Sequence, residues 1–147
     1  MLAECMQGFE RFSSEAVRQC GLTPAQFDII ATLGNTPGMA CKELGEKTLI
    51  TKGTLTGVLD RLEKKQLVIC ERSFDDKRSL FVRLTPGGEA MFAEVFPKVI
   101  AHGKRLFAPC SEADFDAIER TLSQLKQQFA AAAAEAGIAP QQEEEDD

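Results

Sequence analysis

Residues 49–85, LITKGTLTGVLDRLEKKQLVICERSFDDKRSLFVRLT, constrain this chain more than any other stretch. Leu55, Val58, Leu59 and Leu62 fall at i, i+3, i+4 and i+7, which is one buried stripe of a helix read over residues 50–65. The opposite face carries Gly53, Thr56, Gly57, Asp60, Arg61 and Lys64, side chains that are short, polar or basic. Two runs of strand-forming residues follow, 67–72 and 80–85, separated by the charged loop SFDDKRS. In the second run Leu80, Val82 and Leu84 alternate with Phe81 and Arg83, the period of a strand. The stretch therefore predicts a helix that runs directly into a two-stranded hairpin.

A helix that packs by one stripe and offers small polar side chains on the other face can enter a groove of a duplex. A hairpin with Lys77 and Arg78 near its tip can reach a neighbouring groove or a phosphate. Together these predict a winged helix-turn-helix, and with the flanking helices a fold that is mainly α with a small β-hairpin.

The segments TLTGVLDRLEKKQLV and DDKRSLFVRLTPGGE resemble the recognition helix, the wing and the start of the next helix in the MarR family of transcriptional regulators. The spacing from DRLEKK to DKR to LTPGG fits that family without a gap, and the flanking helices fit in number and length. The resemblance implies one domain over residues 1–147: a DNA-binding winged helix-turn-helix lobe at 22–85, dimerisation helices at 1–21 and 86–135, and an acidic tail at 136–147. It implies a homodimer that binds double-stranded DNA. It also implies that Arg78 enters the minor groove while Asp76 braces the wing loop. Family members often carry Arg where this chain has Gly57, and Gly where it has Gln66. The Ser or Thr that usually caps the third helix is replaced by Ala40.

Charge distribution agrees with a nucleic-acid partner despite a net charge of −6. Residues 42–83 hold ten Lys/Arg and seven Asp/Glu, a balance of +3, whereas the rest of the chain holds seven and sixteen, a balance of −9. Attraction to phosphate is local, screened within ~8–10 Å, so the basic segment counts for more than the total.

Along the chain, residues 1–20 read as a helix on which Leu2, Met6, Phe9, Ser13, Ala16 and Cys20 form a seam. Gly21 stops it. Thr23 caps a second helix, with Pro24 at its first position and Gln26 three residues after the cap. Phe27, Ile30, Ala31 and Leu33 are its expected buried side. Residues 40–48 make a short third helix. Thr85 and Pro86 open a long helix lined by Met91, Phe92, Val95, Phe96, Val99 and Ile100, with a kink expected near Phe96 because Pro97 removes a hydrogen bond. Ser111 with Asp114 opens a last helix whose Phe115, Ile118, Leu122, Leu125 and Phe129 form a second seam. The tail from Ala136 is expected to be disordered and solvating.

Within the reading helix Lys52, Thr54 and Thr56 are the expected major-groove contacts, with Thr51 as the helix cap and a phosphate contact. Gly53 and Gly57 each cost about 0.5–1 kcal/mol relative to Ala in a helix interior, and on an exposed face they are expected to allow close approach to DNA. The full DNA-binding set is then Thr51, Lys52, Gly53, Thr54, Thr56, Gly57, Arg61, Lys64, Lys77 and Arg78. Only Arg61 on the helix offers a forked contact to a base, so sequence choice is expected to rest partly on the wing and on DNA shape.

The function expected is a sequence-specific regulator, a repressor, that binds a pseudo-palindromic operator as a homodimer and is released by a small-molecule effector. A pocket for an amphipathic or aromatic acid ligand is expected at Phe9, Phe12, Phe27, Phe92 and Phe96. Oxidation of Cys5 ranks second as a signal, and metal sensing third. The remaining alternative is a helical dimer module that does not bind DNA.

No enzyme is expected: the single histidine, His102, has no carboxylate or thiol partner in sequence, and no phosphate-binding glycine loop or nucleophile motif occurs. No cofactor or metal site is expected, since the five cysteines show no metal or redox spacing. No apolar run approaches the ~20 residues of a membrane span, and the first residues lack the basic and apolar regions of a secretion signal. A cytoplasmic, reduced protein is expected.

Overall fold

The computed structural model describes residues 1–72 and 80–138. Within them the order is α1 (Leu2–Gln19), α2 (Pro24–Leu33), β1 (Met39–Ala40), α3 (Cys41–Thr48), α4 (Lys52–Lys64), β2 (Val68–Arg72), β3 (Leu80–Leu84), α5 (Pro86–Leu106) and α6 (Glu112–Glu135). The described residues divide into two compact units, one up to Arg105 and one from Leu106.

The first unit has one core. Ile29, Ile30 and Leu33 of α2, Leu44 of α3, Leu62 of α4, Val82 of β3 and Val95 of α5 are almost completely buried in it. Each helix enters by an apolar stripe, so burial rather than intrinsic propensity holds these short helices. On α2 the stripe is turned from its expected position. Ile29 is buried, while Phe27 and Ala31 are only half-buried, because the capping end of the helix also draws Gln26 inward. On α1 the seam divides: Ala16 and Val17 join the core, whereas Leu2, Met6 and Phe9 stay exposed. Ile100 of α5 is likewise exposed.

The sheet has three strands, ordered β1-β3-β2 and antiparallel, where a two-stranded hairpin was expected. The extra strand is Met39–Ala40, which pairs with Val82 and Phe81. Two residues cannot show a period of two, so β1 is silent in sequence. Gly38 makes its approach possible: at φ 107° a Cβ would lie 2.6 Å from the carbonyl oxygen of Val82. Val82 is thereby covered on both edges and buried at the centre of the sheet.

Caps set the helix boundaries. Thr23 Oγ1 accepts from Gln26 N–H at 3.2 Å while Gln26 Oε1 accepts from Thr23 N–H at 3.1 Å, a complete capping box. Ser111 and Asp114 make the same arrangement at α6. Thr85 joins two elements: its hydroxyl accepts from Gly88 N–H at 2.9 Å and donates to Gln66 C=O at 2.6 Å. Ala40 makes no side-chain cap on α3. Pro97 lies inside α5, which runs on to Leu106.

In the second unit α6 buries none of its residues. Phe115, Ile118, Leu122 and Phe129 stand 43–62% exposed on it. The tail expected from Ala136 begins differently: Ala136, Gly137 and Ile138 close α6 through hydrogen bonds to Ala132, Ala134 and Ala133. Gly137 takes φ 66°, a left-handed helix end. The rest of the acidic tail lies outside the described residues.

Candidate nucleic-acid interface

The two faces of α4 divide as the spacing predicts. Leu55, Val58, Leu59 and Leu62 are all buried. Thr51, Lys52, Gly53, Thr54, Thr56, Gly57, Asp60, Arg61 and Lys64 are all exposed. A Cβ built on Gly53 or Gly57 would meet nothing within 4 Å, so neither glycine is needed to fit the helix against its own protein. What they leave is a face with bare backbone at two successive turns, bordered by Lys52, Thr54 and Thr56.

The hydroxyls on that face are already engaged. Thr56 Oγ1 donates back to Lys52 C=O at 3.1 Å, which uses its one proton and leaves the oxygen free to accept. Thr51 occupies the N-cap position in extended conformation, but it makes no side-chain cap. Its hydroxyl instead bonds Thr54 Oγ1 at 3.2 Å. This corrects the expectation of a capping threonine: the Thr51 side chain does not cap α4. Lys64 is paired with Asp60 at 2.6 Å, so its charge is partly compensated on the protein. Arg61, three residues before Lys64, makes no ion pair among the described residues.

The turn that delivers α4 is tight. Thr48 Oγ1 donates to Leu44 C=O at 2.8 Å and accepts from Ile50 N–H at 3.4 Å. Leu49 takes the left-handed conformation between them, with φ 56°, and is 88% exposed. At the other end of the helix Gln66 also takes φ 58°, as a departure from glycine at that position would require. Lys65 Nζ reaches Gly21 C=O at 3.3 Å and Gln26 Oε1 at 3.4 Å, tying the end of α4 to the α1–α2 turn.

Among the described residues a side chain of α4 holds the hairpin. Glu63 Oε1 accepts Cys70 N–H at 2.9 Å. The Cys70 thiol, half-buried beneath this carboxylate, has its pKa pushed from 9.0 up to about 12, by burial first and then by the neighbouring Glu63 charge and hydrogen bond. Arg83 on β3 pairs with Glu71 on β2 at 3.0 Å. The wing tip itself, with Asp75, Asp76, Lys77 and Arg78, lies outside the described residues.

Leu49, Glu63 and Lys65 were not singled out by sequence. Nothing in their spacing announces them; Leu49 sits where a helix end asks for glycine, which is the one legible signal.

The phenylalanines expected to line a pocket separate into smaller groups. Phe92 and Phe96 form a tilted pair with centroids 4.9 Å apart. Phe12 stacks on His102 at 4.2 Å, and His102 Nε2 lies 3.1 Å from Phe12 C=O. Phe9 is 46% exposed, and Phe27 packs against the core. A groove lined by Gln7, Glu10, Arg11, Ser14 and Arg18 runs along α1, and none of the five phenylalanines is in its wall. His102 thus has a partner that its sequence neighbours did not show. Cys5 is exposed on α1. No helix among the described residues is long and apolar enough to cross a membrane.

Comparison with known proteins places this geometry. Residues 22–80 match the model of the MarR family. The chain is similar to the HTH-type transcriptional regulator MhqR of Bacillus subtilis, with 25% identity over 116 residues, 79% of this chain and 80% of that one. It spans about half the length of some other curated relatives that it matches. The structure is similar to that of the transcriptional repressor CouR bound to a 23-mer DNA duplex, with TM-score 0.73 and 28% identity, covering 85% of this chain and 89% of that one. It is also similar to Bordetella bronchiseptica BpsR, from a study of how 6-hydroxynicotinic acid regulates the DNA binding of BpsR. There the TM-score is 0.74 and the identity 25%, over 85% of this chain and 95% of that one.

Proposed function

We propose that this chain, whose residues 22–80 match the model of the MarR family and which is similar to transcriptional regulators, is a repressor that reads its operator with the exposed face of α4. One observation carries the proposal: beside a fully buried apolar stripe, α4 keeps two glycines with open space where side chains would be. A helix optimised only for its own fold would carry Ala or a longer residue there. A helix that must lie close against a duplex would not.

In this reading Thr51, Lys52, Gly53, Thr54, Thr56, Gly57, Arg61 and Lys64 face the major groove and its flanking phosphates. Lys77 and Arg78 extend the contact from the wing, with Asp76 bracing it. Arg61 supplies a forked contact to a guanine or to phosphate.

The apolar residues left exposed on α1 (Leu2, Met6, Phe9) and on α6 (Phe115, Ile118, Leu122, Phe129) support a second copy of the chain as the partner. A two-fold dimer places two copies of α4 about one turn of DNA apart, so the operator is a pseudo-palindrome. The effector is a small aromatic acid, as 6-hydroxynicotinic acid is for BpsR.

The test is an electrophoretic shift with the DNA upstream of the chain's own gene and with a random-sequence pool, at low and at physiological salt. A specific complex with two protomers per site, weakening steeply as salt rises, is expected. Absence of any specific shift at low salt, with a dimer persisting in solution, would leave a helical dimer module instead.

A further inference from the structure

Leu49 combines two features that a leucine rarely combines. It ends α3 in the left-handed conformation, φ 56° and ψ 23°, and it is 88% exposed. That conformation brings a branched side chain's Cβ against its own backbone, and such helix ends are usually filled by Gly or Asn. Exposure removes the compensation that burial would provide. For stability alone, glycine or asparagine would serve better here. A single apolar side chain on a surface is ordinary, but one held in a disfavoured conformation points to an interaction outside the chain.

Its place in the fold says which. Leu49 lies three residues before Lys52, the first residue of α4. Ile50 between them packs against the core, and the Thr48 hydroxyl bonds both Leu44 and Ile50, so the turn is pinned and Leu49 is held outward. In a helix-turn-helix the start of the second helix approaches the bases, and the turn before it passes the edge of the groove. The apolar surface of a duplex at that edge is deoxyribose and the thymine 5-methyl group.

We propose that Leu49 is a DNA-contacting residue that packs against apolar surface of the duplex at the groove edge beside α4. This rests on the DNA-binding reading above and adds to it an apolar contact that the polar face of α4 does not contain. If the surface is a thymine methyl, Leu49 also determines sequence preference.

The test uses full-length protein and a duplex that the wild-type protein selects from a random-sequence pool. Leu49→Gly and Leu49→Asn relieve the backbone strain and remove the apolar contact, so both should raise Tm and weaken binding about tenfold. Leu49→Met keeps apolar reach and strain, and should bind as wild type without a gain in Tm. Gln66→Gly relieves the same strain at an exposed position away from the reading face; it should raise Tm and leave affinity unchanged. Replacing thymine by uracil in the duplex separates the two surfaces: a loss seen with wild type and absent with Leu49→Gly assigns the contact to the methyl, and an unchanged wild-type affinity assigns it to deoxyribose.

The proposal is overturned if Leu49→Gly and Leu49→Asn raise Tm yet bind as tightly as wild type. A fall in Tm for both would overturn it as well, because Leu49 would then be packing within its own chain. A wild-type protein that selects no duplex would remove the DNA-binding reading itself, a result distinct from a selective loss at Leu49.

Discussion

The carboxylate of Glu63, on the last turn of α4, accepts the backbone N–H of Cys70 on β2 at 2.9 Å. One side chain thus couples the reading helix to the strand that leads into the wing. Glu63→Ala should cost the fold only about 0.5–1.5 kcal/mol, because water can replace an exposed acceptor. Affinity for DNA should fall several-fold, since the wing loses its fixed position relative to α4. Glu63→Gln retains an acceptor and should bind nearly as wild type. Paired denaturation curves and binding isotherms for both variants check this.

The raised pKa of Cys70 carries a pH prediction. Its thiol titrates near 9.0 when unfolded and at about 12 in the fold, so folding favours the protonated form. That stabilisation is fully present below pH 9 and is lost as pH rises towards 12. Solvent around a half-buried thiol limits the loss to about 1–2 kcal/mol. Wild type should lose more stability than Cys70→Ala between those limits in chemical denaturation. At pH 8, iodoacetamide followed by mass spectrometry should modify the exposed Cys5 well before Cys70.

Gly53→Ala and Gly57→Ala should each stabilise the protein by about 0.5–1 kcal/mol, because a Cβ at either position meets open space and the backbone loses freedom only in the unfolded chain. Both should weaken operator binding if the backbone lies close to DNA. Unchanged affinity in both variants would count against close approach at α4. Melting curves and electrophoretic titrations give the two readouts.

Gly88→Ala is expected to act oppositely. A Cβ there would overlap the Leu67 carbonyl oxygen, which belongs to backbone and cannot swing aside. A loss of about 3 kcal/mol or more is expected, visible as a lower denaturation midpoint. The contrast between Gly88 and Gly57 separates glycines required by packing from glycines left for a partner.

Arg61→Ala should cost about 1–3 kcal/mol of operator affinity and relax preference at one base-pair position, if its guanidinium reads a base edge. Lys64→Ala should weaken binding nearly uniformly across sequences and lower the salt slope by about one. Arg78→Ala should weaken binding by about 1 kcal/mol or more without lowering thermal stability. Competition assays across single-base operator variants distinguish the three.

Much of the fold was legible because its signals are local. The i, i+3, i+4, i+7 spacing of Leu55, Val58, Leu59 and Leu62 defines a buried stripe whatever it packs against, and all four are buried. The boxes at Thr23 and Ser111 need only residues three positions apart. Gln66, which stands where the family that the chain resembles often has Gly, takes the left-handed conformation that such a glycine implies. The strand β1 was not legible, since two residues carry no period and their pairing depends on β3 arriving from forty residues away. Thr51 was misread for a similar reason: a threonine before a helix is a cap by frequency, yet its hydroxyl donates to Thr54 Oγ1 and accepts from no amide of the first turn.

Of the candidate site, the amino-acid sequence by itself determined the composition of the exposed face of α4 and the basic balance around it, because helical periodicity assigns faces without knowing the rest of the molecule. Only the tertiary structure decided that Gly53 and Gly57 look onto open space, that Glu63 holds Cys70, that Lys65 reaches Gly21 and Gln26, and that Leu49 is held outward. Those relationships join residues brought together by the packing of different elements or depend on the space around them. Such distances are set by how all the apolar stripes bury at once, and no local pattern encodes them.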